Sequence, residues 1–360
     1  ADVFSRTLSD LLDYSERRMR AEISTFPDGK YTFIDKVEDD GIEDKEYEIH
    51  VAVHVHRDEV IIDYSGSSPQ AKGPINATLG VAWSAAFNAM LHLTDQSIPK
   101  NSGCFRPIRV IAPAGTIMNV DYPGSEVGGN TETHPLIVCA IFGAMSNCVP
   151  ERVMASEGTT HGCFVFGGHD KVTDEPFGGF DFSYVGYGGR SFADGNDATD
   201  SINGNCANTP MEVFETRFPW IVEEYALRPN SGGAGKYRGG LSNVKQMLCT
   251  GEMLVSQMTN KHKIGAWGLK GGFEGKVGAT LYKKSSSDEW KTVVDAFGKV
   301  SPSKYSNVEM RPGDRVRVLA PGGGGFGVPS QRTPEAIDED IAEGFISVEE
   351  ARNKYGFSSG

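Results

Sequence analysis

The chain has 360 residues, and its 35 lysines and arginines against 48 aspartates and glutamates give a formal net charge of −13. This acidic balance argues against a protein that follows a nucleic-acid backbone or lies on a membrane surface, because both need a surplus of cations. Hydrophobic residues at 39% fit a globular core, and the most apolar stretch, Leu136 to Met145, is about half as long as a bilayer-spanning helix, so we expect a soluble, cytoplasmic protein.

The first 150 residues mix helical and strand patterns. Apolar residues recur at three- and four-residue spacing from Phe4 to Ile23, which predicts an amphipathic helix. The period then changes to two, which predicts a half-buried hairpin over Ile49 to Tyr64 with its turn at Arg57-Asp58. Three further elements are predicted: a helix over Val81 to Leu93, a short strand over Pro107 to Ala112 and a buried helix over Pro135 to Ser146.

Glycine is enriched, with 44 residues in the chain, which indicates many turns and close backbone approaches. Between Gly158 and Gly204 no hydrophobic period is sustained, although the segment is rich in aromatic residues that require burial. We therefore expect an irregular, loop-dominated region of the kind that usually holds a functional site.

The second half is predicted to be strand-rich. Its predicted strands are Glu212 to Phe218, Ile221 to Leu227, Val244 to Cys249, Met253 to Met258, Val277 to Lys283 and Arg315 to Leu319. The C-terminus is predicted to be helical, because Thr333 can cap a helix that begins at Pro334 and Ser347 with Glu350 forms a capping box for a last helix ending near Tyr355-Gly356.

These patterns predict an α+β fold that is β-rich, with glycine-rich loops and helices packed on mixed or antiparallel sheets. Four regions are expected. They are an α+β unit over residues 1–157, a glycine and aromatic loop region over 158–209, a β-rich unit over 210–330 and C-terminal helices over 331–360.

Histidines form two candidate metal sites. His50, His54 and His56 share one face of a predicted strand and could ligate a divalent metal, but a solvated hairpin face opposite the valines explains them more simply. In the glycine-rich region, His161 lies near His169 and Asp170, a spacing that is not diagnostic of a metal site.

Three glycine-rich motifs are compared with the requirements of an anion-binding site. Ser231 to Tyr237 lacks the glycine and the hydroxyl residue that a phosphate-binding loop requires. Gly322 to Gly327 could bring backbone N–H groups close to an anion or to another backbone segment. The loop from Gly128 to His134 precedes an apolar helix, so Asn130, Glu132 and His134 could contact an anionic ligand or serve as ordinary capping residues.

An amide-rich cluster follows the loop region. Asn205, Asn208 and Arg217, with Glu212 and Glu215, could orient a polar substrate or form an internal network. The catalytic residues cannot be assigned from these patterns. The residues expected to contact substrate or to form an interface are Asn130, Glu132, His134, His161, Asn205, Asn208 and Arg217.

Several segments, in order along the chain, resemble the hydantoinase B / oxoprolinase family. They are Asp63 to Gln70 with Gly73 to Asn76, Ile98 to Cys104 with Arg106 to Ile108, Val127 to Thr133, Asn208 to Glu215, Arg228 to Gly240, and the tail Pro321 to Gly327 with Tyr355-Gly356. The family comprises subunits or domains of ATP-dependent hydantoinases, 5-oxoprolinases, caprolactam-type lactamases, and acetone and acetophenone carboxylases.

The resemblance implies a division of labour between subunits. A hydantoinase A-type partner is expected to bind Mg-ATP and to phosphorylate an enolate or amide oxygen, and the B-type subunit is expected to complete hydrolysis of a cyclic amide. Two alternatives stay open: a subunit of an ATP-dependent ketone carboxylase, and a non-catalytic assembly module.

The resemblance also implies an N-terminal family segment, with a pattern like a metal site, that these 360 residues do not contain. We therefore expect that portion of the B-type subunit to be a partner, if it is a separate chain, and any divalent metal to be held outside this chain. No nucleic-acid or membrane partner is expected.

Overall fold

A computed structural model describes residues 2–170 and 174–357. The chain divides into two compact units. The first comprises the residues up to Lys36, Tyr47–Ala71 and Ile75–Val153, and the second comprises Val37–Glu46, Lys72–Pro74 and the described residues from Met154 onward. In the described ranges, no helix is both long enough and apolar enough to cross a membrane.

The first unit contains a four-stranded sheet in the order β1-β2-β3-β4. Its strands are β1 (Gly29–Val37), β2 (Tyr47–His56), β3 (Glu59–Asp63) and β4 (Ile108–Ile111), and its helices are α1 (Asp2–Ile23), α2 (Leu79–Leu93), α3 (Ser102–Phe105) and α4 (His134–Met145). The predicted hairpin is confirmed, since β2 and β3 pair in antiparallel register around Arg57. Every residue of α4 is buried, so the predicted buried helix is also confirmed.

In the described part of the second unit, the strands form two antiparallel sheets with the orders β11-β10-β13-β8-β7 and β12-β9-β5-β6. The strands are β5 (Cys163–His169), β6 (Pro176–Asp181), β7 (Trp220–Leu227), β8 (Asn243–Cys249), β9 (Met253–Met258), β10 (Ala279–Lys283), β11 (Lys291–Thr292), β12 (Lys304–Met310) and β13 (Arg315–Leu319). The helices are α5 (Met211–Arg217), α6 (Val293–Phe297), α7 (Pro334–Ala342) and α8 (Val348–Tyr355). The predicted α+β fold with antiparallel sheets is therefore confirmed.

One sequence prediction in the second unit was wrong, and a second needs refinement. The strand predicted over Glu212 to Phe218 is helix α5, because Phe214 and Phe218 are four residues apart, a spacing that puts them on one face of either a strand or a helix. Their rings pack with centroids 5.4 Å apart. The region after Gly158 is less irregular than expected, since it contains the β5–β6 hairpin, in which Gly167 pairs with Gly178.

Glycines of three segments, 186–189, 232–240 and 322–325, pack backbone against backbone, and we name this feature the glycine layer. A Cβ atom on Gly323 would lie 2.0 Å from the carbonyl oxygen of Tyr187, and one on Gly240 would lie 2.0 Å from that of Asn196. The N–H of Gly233 donates to the Gly323 carbonyl at 2.8 Å. Only residues without a side chain can approach this closely.

The glycine layer accounts for the motif Gly322 to Gly327. Its N–H groups donate to carbonyl oxygens of the same chain, for example Gly324 to Ser156 at 2.8 Å and Gly325 to Phe273 at 2.8 Å. Of the two interpretations of this motif, the approach to another backbone segment is therefore the one that the structure supports.

The C-terminal helices are capped as predicted. The Thr333 side chain accepts from the N–H of Ala336 at 3.3 Å, and Ser347 accepts from the N–H of Glu350 at 3.1 Å. The second half of the capping box is replaced, because the N–H of Ser347 donates to the Asn230 side chain at 2.7 Å. That bond joins α8 to the segment that precedes the glycine layer.

Candidate functional site

The second unit holds a buried polar cluster around His161, which we name the His161 cluster and define as Glu157, His161, Asp200, Ser201 and Asn203. His161 Nδ1 lies 2.9 Å from Asp200 Oδ1, and Nε2 lies 2.9 Å from Asn203 Oδ1. Both ring nitrogens are therefore engaged by neighbouring side chains. Such contacts fix the orientation of an imidazole and determine which nitrogen carries a proton.

The backbone before β5 places His161. Thr159 has φ 43° and Gly162 has φ 61°, so two left-handed residues flank the histidine. A Cβ atom on Gly162 would lie 2.7 Å from the Ser183 carbonyl oxygen, which makes glycine necessary at this turn. The histidine is thus held by a tight turn at the start of a strand.

Asp200 organises the loop on the other side of the cluster. Its Oδ2 accepts from the backbone N–H groups of Asn205 and Cys206, each at 2.9 Å, and Oδ1 accepts from that of Ser201 at 2.9 Å. Burial acts to raise the pKa of Asp200, but the hydrogen bonds from His161 and the two Oδ2 amides outweigh it, so the pKa lies below its ordinary value. Asp200 is therefore ionised at neutral pH.

Glu157 is the second carboxyl group of the cluster, and it is fully buried. Its Oε1 accepts from the Ser201 hydroxyl at 2.5 Å and from the Ile202 N–H at 3.1 Å. No described residue hydrogen-bonds to its Oε2. Burial raises the pKa of Glu157 to about 7, although the bonds from Ser201 and Ile202 act in the opposite direction.

The raised pKa of Glu157 predicts a pH-dependent stability. The unfolded chain loses this proton near the ordinary pKa of 4.5, whereas the folded chain keeps it to about 7. The free energy of unfolding should therefore fall by roughly 3 kcal/mol as the pH rises through that window. In Glu157→Gln, which keeps a neutral side chain, this contribution should be absent.

Urea unfolding of the wild type and Glu157→Gln at pH 5, 6, 7 and 8 measures the effect. The difference between their free energies of unfolding isolates Glu157, since all other titrating groups are shared. A difference that stays constant from pH 5 to 7 would contradict the raised pKa.

A cleft of about 500 Å³ borders the His161 cluster, and we name it the Asp200 cleft. The residues that line it are Tyr184, Tyr187, Asn196, Ala198, Thr199, Asp200, Ser201, Ile202, Gly204, Asn205, Cys206 and Asn208. The Asn208 side-chain oxygen accepts from the Tyr225 hydroxyl at 3.0 Å. Amide, hydroxyl and carboxylate groups therefore converge in one concave site, as is usual for the binding of a small polar molecule.

Gly204 shapes this cleft at the point where the loop turns back on Asp200. A Cβ atom there would lie 1.8 Å from Asp200 Oδ2 and 2.8 Å from the His161 ring. The Gly204 N–H donates to the Ser201 carbonyl at 2.7 Å, which closes the turn. The geometry of the cleft wall therefore depends on a glycine as well as on the carboxylate.

Three predicted site residues lie in the first unit. Asn130 and Glu132 belong to a turn of π-helix over Gly129–Thr133, and His134 is the first residue of α4. Glu132 is completely buried, and His134 Nε2 lies 3.3 Å from the Ser84 hydroxyl oxygen. The turn begins at Gly129, where a Cβ atom would lie 2.1 Å from the Asn76 carbonyl oxygen, so the backbone is tightly packed there.

Four predicted site residues lie in the second unit. His161 is in the buried cluster, while Asn205 and Asn208 line the Asp200 cleft. Arg217 is exposed at the end of α5 and is not among the described residues that line this cleft. Glu212 and Glu215 are exposed on the same helix, and Glu215 accepts from the Val222 N–H at 2.6 Å.

The histidines weighed as metal ligands lie elsewhere. His169 ends β5, the strand that begins beside His161, and is exposed with Asp170. His50 Nε2 lies 2.9 Å from Glu48 Oε2 on the hairpin. Within residues 2–170 and 174–357, no group of three or more His, Cys, Asp or Glu side chains is arranged to hold a metal ion.

Sequence reasoning missed Glu157, Asp200 and Asn203. Glu157 and Asp200 are 43 residues apart in the chain, and no local motif connects them. One signal was available: Asp200 precedes an Asn-Gly turn, and such acidic and amide residues commonly hydrogen-bond the backbone of the next turn.

The comparisons with known proteins agree on one family. The family model for hydantoinase B/oxoprolinase matches residues 1–329. The B-type component of a D-/L-hydantoinase from Pseudomonas sp. strain NS671 is 31% identical over 99% of this chain and 60% of its own length.

Two solved structures have the same fold. The ATP-dependent caprolactamase of Pseudomonas jessenii matches with a TM-score of 0.89 and 24% identity over 100% of this chain and 62% of its own. A nucleotide-free acetone carboxylase matches with a TM-score of 0.82 and 21% identity over 95% of this chain and 51% of its own. The chain thus spans about half to three fifths of the length of these proteins.

Proposed function

The chain belongs to the hydantoinase B/oxoprolinase family, and on that premise we propose that it acts as a B-type subunit of an ATP-dependent enzyme that hydrolyses a cyclic amide of the hydantoin, oxoproline or lactam type. ATP is bound, with Mg²⁺, by a hydantoinase A-type partner. The relatives named above include a hydantoinase component and an ATP-dependent amide hydrolase. The observation that supports the proposal is the Asp200 cleft, which the amides of Asn205 and Asn208 line and the His161 cluster borders.

The Asp200 cleft suits an amide or its phosphorylated form. The side chains of Asn205 and Asn208 offer N–H donors and carbonyl acceptors, which match the carbonyl oxygen and the N–H of a cyclic amide. Tyr184 and Tyr187 add ring faces against which a small ring can pack. The proposed role of these residues is to bind and orient the ring.

In this proposal, the His161 cluster, which borders the Asp200 cleft, exchanges protons during the reaction. An amide carbonyl is a poor electrophile, and phosphorylation of its oxygen in the partner makes attack by water on the carbonyl carbon easier. The ring C–N bond then breaks, its nitrogen takes up a proton, and a second water releases phosphate from the resulting acyl phosphate. The attack by water releases a proton, and a carboxyl group with a pKa of about 7, such as Glu157, can exchange protons at neutral pH. Ser201 lines the cleft and hydrogen-bonds Glu157, so it connects the two.

The experiment uses this chain in its native complex, isolated with the subunits that copurify with it. Ring opening of hydantoin, 5-oxoproline and caprolactam is followed by chromatography with and without Mg-ATP. We expect ATP-dependent opening of at least one ring without bicarbonate. Asn208→Ala should lower kcat/KM by about tenfold, equivalent to about 1.4 kcal/mol of lost interaction with the substrate.

A matched control is Asn353→Ala, an exposed asparagine on α8 that should leave turnover unchanged. Two outcomes would replace the proposal. ATP-dependent incorporation of bicarbonate into acetone or acetophenone, without ring opening, would assign a ketone carboxylase. Full turnover by both Asn130→Ala and His161→Ala, in an intact complex, would assign an assembly module.

A further inference from the structure

Strand β7 forms one edge of the five-stranded sheet of the second unit. Its last five residues, 223–227, are all exposed. Three apolar residues of the strand are also largely exposed, with Ile221 at 46%, Tyr225 at 36% and Leu227 at 37%. An edge strand presents unpaired backbone groups, and folded proteins usually cover or blunt such an edge. The exposure of β7 therefore indicates a surface that another polypeptide covers.

The backbone groups of Tyr225 and Leu227 face the open side of β7. The N–H of Arg228, the next residue, donates to the Ser242 carbonyl at 2.7 Å, which directs Arg228 towards the chain of β8. Successive residues of an antiparallel strand direct their N–H and C=O groups to opposite sides, so Ala226 also bonds towards β8. The N–H and C=O groups of Tyr225 and Leu227 point the other way, and no described residue hydrogen-bonds to them.

Helix α5 covers the beginning of the same edge. The N–H of Val222 donates to the Glu215 side chain at 2.6 Å. The register with β8 then shifts between Val222 and Glu224, which marks a β-bulge. Residues 225–227 follow this bulge, and we name them the open edge.

The open edge lies one side chain away from the Asp200 cleft. The Tyr225 hydroxyl donates to the Asn208 side-chain oxygen at 3.0 Å, and Asn208 lines that cleft. In the proposed reaction, an amide that is phosphorylated in the partner must reach the Asp200 cleft before bulk water attacks it. The site that binds ATP must therefore lie close to this cleft, so its subunit is the expected neighbour of the open edge.

A second copy of this chain is a poorer match for the open edge. Each copy carries a formal net charge of −13, so long-range repulsion opposes self-association. The arginines beside the edge cannot bridge two copies without losing existing partners, since Arg315 lies 2.8 Å from Glu223 and Arg317 lies 3.4 Å from Glu224. A different protein with an extended segment therefore fits the open edge better.

We propose that an extended segment of the ATP-binding partner subunit adds to β7 as a further strand of this sheet. Its backbone pairs with the N–H and C=O groups of Tyr225 and Leu227, and apolar side chains at alternate positions pack on those two residues. The identity of the partner rests on the proposed function, whereas the added strand rests on the geometry of the edge.

Residue-resolved hydrogen exchange of the full chain, alone and in its native complex, tests the added strand. The amides of Tyr225 and Leu227 should exchange at least about tenfold more slowly in the complex, whereas Ala226, already bonded to β8, should be slow in both states. A photoreactive ATP analogue identifies the subunit that binds ATP. Three results would overturn the proposal: fast exchange of both amides in the complex, protection that grows with the concentration of the isolated chain, and protection by a subunit that the analogue does not label.

Leu227→Pro tests the same contact by removing an N–H group that faces the open edge. Proline is tolerated at such positions of an edge strand, so the urea midpoint of the isolated chain should not change. The dissociation constant for the ATP-binding subunit, measured by sedimentation, should be at least about tenfold higher than in Leu227→Ala, which keeps the N–H. Equal dissociation constants would refute the added strand. Because no substrate is present, a complex that passes both tests but opens no ring would overturn the proposed hydrolysis alone.

Discussion

Gly323→Ala is expected to prevent the second unit from folding. The new methyl group would lie 2.0 Å from the Tyr187 carbonyl oxygen and 2.4 Å from its carbonyl carbon. That carbonyl cannot withdraw freely, because it accepts from the Gly240 N–H at 2.7 Å, and Gly323 itself donates to the Gly240 carbonyl at 3.1 Å. Relief of the clash would therefore break several backbone hydrogen bonds of the glycine layer at once. We expect a loss of more than about 4 kcal/mol, which is a large fraction of the stability of a typical domain.

The measurement is the yield of soluble protein, followed by urea unfolding of any that is recovered. Gly178→Ala is the matched control in the same unit, because a Cβ atom there would come no closer than 4.0 Å to the Phe166 carbonyl oxygen. Gly80→Ala, near the start of α2, should be neutral or stabilising by up to about 1 kcal/mol. Wild-type stability in Gly323→Ala would contradict the close backbone packing.

The predictions from sequence succeeded where the signal is local. Helix α7 and helix α8 begin at the capping residues Thr333 and Ser347 that their sequences indicate. The strands β9 and β13 have the predicted bounds, since each is a short run between turn residues, and burial alternates along both strands in the structure. In these elements the local periodicity and the tertiary packing agree.

Strand β12 shows why other elements could not be predicted. Tyr305 is buried, but so are Val308 and Met310, and the buried positions therefore change parity within the strand. The register shifts between Tyr305 and Val308, where an irregularity adds a residue to one side of the pair with β9. A bulge of this kind destroys the period of two from which a strand is predicted.

The candidate site could be predicted only in part, because contacts between distant segments of the chain bring its residues together. His161 and Asn208 could be predicted as site residues, because their residue types and their position in loops are typical of residues that contact a substrate. Asp200 acts on His161 across 39 residues of chain, and its partners become visible only when the loop has folded. The glycine content indicated that backbone segments approach one another closely. It could not identify the glycines of the glycine layer, because they lie in segments up to 137 residues apart, as for Gly186 and Gly323.

Asp200→Asn is expected to abolish most of the proposed activity while changing a single functional group. The two carboxylate oxygens accept from four donors: the His161 ring and the N–H groups of Ser201, Asn205 and Cys206. An asparagine has one accepting oxygen, so in either orientation its NH₂ group faces N–H donors. The wall of the Asp200 cleft and the orientation of His161 should both be lost, and kcat/KM for ring opening should fall at least about a hundredfold.

Two further measurements separate this role of Asp200 from a general loss of stability. Asp288→Asn, at a fully exposed carboxylate beside Lys283, should leave both activity and unfolding unchanged. Because the folded-state pKa of Asp200 is depressed, its stabilising contribution is present above the ordinary value of 3.8 and is lost only as the pH falls below it. The stability difference between wild type and Asp200→Asn should therefore shrink as the pH falls below 3.8, whereas the contribution of Glu157 declines as the pH rises towards 7. Near-normal kcat/KM in Asp200→Asn, with the complex intact, would show that the carboxylate does not organise the site.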